Sequence, residues 1–134
     1  MGPVGRTRVS LRFGGDDLDP DTLTTRLDCL PTRARRAGET LPSGHVVRRG
    51  SWHLQSELLV PGNLDAQIIN LLALPTSDLA IWNELSRRYR GNLFCGLFLT
   101  EGNQGLDFEP ETLTAIGARG LVLDLDIYGA EMPD

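Results

Sequence analysis

Lysine is absent from this chain. All 13 cationic side chains are arginine, so an anion bound by a side-chain cation here would meet guanidinium forks that grip carboxylates and phosphates with two prongs. The codon bias of a GC-rich genome accounts for so complete an absence, and residue type alone marks out no single arginine. Long apolar runs are missing as well. The stretch LFCGLFL at 93–99 is far too short to cross a bilayer. No charged segment followed by an apolar one opens the chain, as a secretory leader would. Cysteine is scarce: Cys29 and Cys95 lie in apolar patterns without CxxC spacing, as expected of two buried thiols in a reducing cytoplasm. A broad basic field is lacking too, and the net charge of −5 argues against a general nucleic-acid binder.

Catalytic signatures are equally sparse. His45 and His53 are the only imidazoles, and neither stands in an HxxxH or HExxH pattern or beside a nucleophile elbow. The Gly-bearing turns GGDD and EGNQG contain no GxxxxGK[ST] or GxGxxG, so they give no sign of a nucleotide cradle. No cofactor is implied.

What is present suits one soluble domain spanning 1–134, with its ordered core at about 6–129. At 134 residues, 40% hydrophobic and 23% charged, such a chain buries roughly two-thirds of its unfolded surface. RVSLRF at 8–13 alternates strictly and predicts a half-exposed strand, with Val9, Leu11 and Phe13 on one face and Arg8, Ser10 and Arg12 on the other. Asp19, Pro20 and Asp21 then open a helix as cap, first residue and dipole-matched acid. Leu23, Leu27 and Leu30 form its stripe, and Pro31 ends it.

Residues 32–44 have no apolar period and read as a loop, followed by a strand around Trp52 and Leu54. A helical pair is predicted next, over 63–75 with Asn63 as cap and over 77–90 with Ser77 as cap, joined by a short link at 75–77. The second helix turns Leu79, Trp82, Leu85 and Tyr89 inward and stops at Gly91. NLFCGLFLT at 92–100 is apolar on both faces, as a central strand would be. After a further helix, LVLDLDIY at 121–128 closes the fold, with its leucines facing one way and Asp124 and Asp126 the other.

The predicted order is β-α-β-α-α-β-α-β. It predicts a two-layer α+β sandwich on a mixed sheet of four to five strands, ferredoxin-like in topology. LDPDTLT at 18–24 returns as FEPETLT at 108–114. Either a duplicated βαβ unit or two helices with the same start explains that return.

The strand followed by LDPDTLTTRLDCLPT, the Arg-rich loop ending in AGE, the W-x-L strand and the terminal LDLDIY resemble a bacterial family. It is the one catalogued as domain of unknown function 4279, and the likeness runs over roughly residues 8–128. The resemblance implies a single compact bacterial cytoplasmic domain, and it brings no activity, cofactor or catalytic residue with it.

The leading candidate site is the loop at 33–49, where Arg33, Arg35, Arg36, Arg48 and Arg49 face a single acid, Glu39. Such forks can hold a phosphate, a carboxylate or an acidic protein face, with Trp52 stacking alongside. The plainer explanation is a solvated loop whose arginines balance Asp16, Asp17, Asp19 and Asp21. Asp124 and Asp126, two apart on one strand face, are weaker metal candidates without an evident third ligand.

The function expected is a non-enzymatic protein-interaction or accessory module, of toxin-neutralising kind in its sharpest form. The alternative is a small anionic-ligand-binding protein or a metal-dependent enzyme acting on a phosphorylated or carboxylated metabolite. The partner would be an unknown protein or a second copy of the chain.

Overall fold

The computed structural model describes residues 2–130. In chain order the elements are β1 (Gly2–Pro3), β2 (Arg6–Gly15), α1 (Pro20–Leu27), β3 (Arg33–Arg35), β4 (Gly50–Gln55) and α2 (Leu64–Leu72). They continue with α3 (Leu79–Tyr89), β5 (Asn92–Phe98), β6 (Gln104–Gly105), α4 (Pro110–Ala118) and β7 (Val122–Tyr128). Five strands make a mixed sheet in the order β3-β4-β2-β5-β7, and β1 and β6 pair separately. The architecture is α+β, with four helices packed against that sheet.

Strand alternation decides where the helices sit. On β2 the side chains of Val9, Leu11 and Phe13 are buried, as are Trp52 and Leu54 of β4 and Leu93, Cys95 and Leu97 of β5. All of them join one core with Leu23, Leu27, Ile68, Leu71, Trp82, Leu85 and Ile116 of the helices. Phe13 lies at the centre, edge-on to Trp52 at 6.0 Å and tilted to Trp82 at 6.4 Å. A polar anchor crosses the same core. Thr7 donates to Gln67 Oε1 at 2.6 Å, while Gln67 Nε2 donates to the carbonyls of Thr7 and Glu57 at 3.0 and 2.9 Å. Both residues are buried, so these bonds offset a desolvation cost that would otherwise stand alone.

The ferredoxin-like topology does not form. β2 and β4, joined through α1 and β3, are antiparallel neighbours, so the first strand-helix-strand unit is not a parallel crossover. Within the five-stranded sheet, among the described residues, only β5 and β7, joined through α4, pair in parallel. The 36–49 connection is long enough to reverse the chain, and β3 leads it back along β4. That departs from the expected loop at 32–44: Arg33–Arg35 is an edge strand, and the residues beyond it form a hydrogen-bonded hairpin with a Thr40–Val46 bridge. Gly50 ends the hairpin where a Cβ would stand 2.3 Å from the carbonyl oxygen of Leu18, so only glycine fits.

Several boundaries also moved. Asp28 adopts a left-handed conformation (φ 52°) and closes α1 at Leu27, three residues before the expected stripe ends. Leu30 is therefore 77% exposed and not part of the core. Asp78, not Ser77, caps α3 by accepting from the Ala80 amide at 3.0 Å. Leu79 sits at the first turn and is exposed, and left-handed Arg90 ends the helix before Gly91. Asn63 caps α2 as expected, though that helix stops at Leu72. β5 buries one face only, its other face being half-covered. On the edge strand β7, Leu123 is half-buried, while Leu125 and Ile127 remain exposed because the helical layer does not extend over them.

Candidate functional site

The helices cover one side of the sheet and leave the other open. Strand pairing sets out the open side in rows. Arg33, His53, Arg12, Asn92 and Val122 stand side by side across the five strands. Below them Gln55, Ser10, Phe94 and Asp124 form the next row, then Arg8, Gly96 and Asp126, then Arg6, Phe98 and Tyr128. Arg35 lies above, opposite Ser51. Five arginines thus share these rows with two aspartates, in a chain whose net charge is −5.

Aromatic rings hold two of these guanidiniums in place. Arg12 lies over Phe94 at 4.1 Å and Arg6 over Phe98 at 4.9 Å, and Phe98 stacks on Tyr128 at 4.7 Å. Arg12 also donates to Ser10 at 3.3 Å. Burial lowers its pKa, and nearby Arg33 lowers it further against the opposing pull of Asp124. His53 meets the same positive field. Burial first, then Arg12 and Arg33, bring it down to about 4, so it is neutral near pH 7 and its Nδ1 can accept from Arg33 at 3.3 Å. At the end of this face Arg12, Arg49, Arg90, His53, Ser51 and Asn92 line a hollow of about 320 Å³.

The loop candidates are divided rather than gathered. Arg33 and Arg35 belong to the open face. Arg36 pairs with Asp19 at 2.9 Å and with Asp21, both at the start of α1. Arg49 meets Asp16 at 3.3 Å while lining the hollow. Arg48 is exposed and makes no ion pair among the described residues. The acids named in the plainer explanation therefore engage Arg36 and Arg49, and Asp17 is taken by Arg88 at 2.9 Å. Trp52 does not flank the loop: it is fully buried, and its indole donates to Thr24 at 3.0 Å.

Asp124 and Asp126 do share the open face, where Asp126 accepts from the Tyr128 hydroxyl at 2.7 Å. Among the described residues no group of three His, Cys, Asp or Glu side chains comes together to hold a metal. Cys95 is a buried thiol, pushed up to about 12 by burial and by Asp124. Cys29 is only partly buried. No helix among the described residues is long and apolar enough to cross a membrane.

Arg6, Arg8, Arg12, Arg90, Phe94, Phe98 and Tyr128 did not stand out in the sequence as site residues. The alternation of RVSLRF does place Arg8 and Arg12 on one face. Their neighbours come from strands about 40 and 85 positions away, and no local pattern announces them.

A family model described as domain of unknown function (DUF4279) matches residues 5–130, nearly the whole chain. The chain belongs to this family. No curated protein and no solved structure matches it. As a DUF4279 domain it carries the open arginine face within the matched span, whose strands all lie between residues 6 and 128.

Proposed function

We propose that this DUF4279 domain is a non-enzymatic interaction module whose open sheet face receives an acidic segment of a protein partner. One observation carries the reading: five arginines and three aromatic rings occupy a sheet face that no helix among the described residues covers. Guanidiniums held over rings lose less freedom when they grip a carboxylate, so each contact costs less ordering. The rings themselves are engaged by arginines or by each other, which leaves them poor platforms for stacked nucleobases. In its sharpest form the module is an accessory domain that covers and neutralises a toxin, in a bacterial cytoplasm.

The test is capture from the native host's lysate by tagged wild type, R12E/R33E and R36A. R12E/R33E should lose a stoichiometric partner that R36A retains, and added salt should weaken the wild-type capture. Undiminished capture by R12E/R33E overturns the reading.

The hollow beside Arg12, Arg49 and Arg90 favours a second reading, a small carboxylated or phosphorylated metabolite bound there. A thermal-shift panel of organic acids, nucleotides and divalent ions separates the two readings. A ligand at 100 times its Kd should add about 2.7 kcal/mol of stability, and a flat panel removes this second reading.

A further inference from the structure

β7 is the outer strand on its side of the sheet, and its far edge pairs with no other strand among the described residues. Its helix-side residues continue the core pattern of β5 without its burial: Cys95 and Leu97 are buried, while their neighbours Leu125 and Ile127 are 41% and 57% exposed. On the open side Asp124 and Asp126 are neighbours, flanked by Val122 and Tyr128, which are exposed. A long edge with apolar residues is a template for another strand, and addition of an extended segment to such an edge is a recurrent mode of recognition.

The charges decide which strand fits. Two copies of β7 paired about a two-fold axis run antiparallel and keep like faces together, so even-numbered residues oppose even-numbered ones. The register that pairs all seven residues places Asp124 opposite Asp126 twice. Sliding by two residues either way places Asp124 opposite Asp124 or Asp126 opposite Asp126. Every extensive antiparallel self-pairing thus sets acid against acid, which is unfavourable in cross-strand pairs.

We propose that the β7 edge accepts an extended segment of another protein, one that alternates basic and apolar residues. Its cations would oppose Asp124 and Asp126 on the open side. Its apolar side chains would lie beside Leu125 and Ile127 and complete the covered side. This site does not depend on the arginine-face reading, because its charge and its ligand are of opposite sign.

Two blocked heptapeptides test the proposal against the full chain by NMR, one alternating Arg with Val and the other Glu with Val. The Arg/Val peptide should shift the β7 amides and slow their exchange, and should bind at least about tenfold more tightly than the Glu/Val peptide. D124R/D126R should reverse that preference, whereas R12E/R33E should leave it intact. The single change D124R sets a cation opposite Asp126 of the second copy in both central pairs, and sedimentation should then show a dimer. Binding away from β7, equal affinity for the two peptides, or no binding at about millimolar peptide overturns the proposal. A wild-type dimer held through β7 overturns it as well.

Discussion

LDPDTLT and FEPETLT open α1 and α4 with nearly the same residues, yet the two helices bury different faces. In both, proline occupies the first turn. In α1 the Asp19 carboxylate accepts from the Asp21 amide at 3.0 Å. In α4 Glu109 makes no such side-chain cap, and its own amide donates instead to Asp65 of α2 at 3.0 Å. Leu23 is fully buried in the first helix, whereas the equivalent Leu113 is 52% exposed. The neighbouring threonines are reversed: Thr22 is exposed and Thr112 buried. Downstream, α1 leads to an antiparallel neighbour of its strand and α4 to a parallel one. A shared start therefore specifies a helix, not a repeated unit, because the buried stripe depends on which layer each helix meets.

Leucine truncation should break the likeness most strongly. L23A removes a core side chain and should cost about 2–5 kcal/mol, while L113A should stay within about 0.5 kcal/mol. Urea denaturation of the two variants reads both, and equal losses would show that the motifs bury the same face after all. The caps should differ less. D19A should lower the urea midpoint through its lost bond to the Asp21 amide, and E109A should lower it clearly less in the same experiment.

Thr112 separates the copies more finely, since its hydroxyl is buried and has no hydrogen-bond partner. T112V should be neutral or stabilising by up to about 1 kcal/mol, because it removes an unpaired polar group at nearly constant volume. T22V, at the exposed counterpart, should leave the midpoint unchanged.

The smallest difference is in acid. The Asp21 amide, and with it Arg36, holds the Asp19 carboxyl below its ordinary value of 3.8. Its contribution is therefore complete above that value and lost as pH falls through the lowered one. D19N should flatten that part of the acid-unfolding curve and leave the curve at neutral pH parallel to wild type. An unchanged acid limb would show that the exposed Arg36 pairing carries no weight in solution.

Of the candidate face, residues 8–13 place two arginines: alternation alone sets Arg8 and Arg12 opposite the core-facing Val9 and Leu11. The arginines of 33–49 are concentrated in the chain, but chain proximity does not make them one site. Arg33 and Arg35 turned onto β4, whereas Arg36 met the acids at the start of α1. For Trp52, alternation with His53 puts the histidine on the more exposed side, but the tryptophan is buried under the helices and does not stack beside the loop.

Local sequence was enough for the class of fold, the starts of α1, α2 and α4 and the long strands, because caps, proline positions and apolar periods act over a few residues. Tertiary structure alone decided that β4 runs antiparallel beside β2, that α4 buries Thr112 rather than Leu113, and that β7 stands at an open edge. Each of these rests on contacts between residues tens of positions apart. Their energies come from surfaces that exist only once the sheet and its helical layer have met.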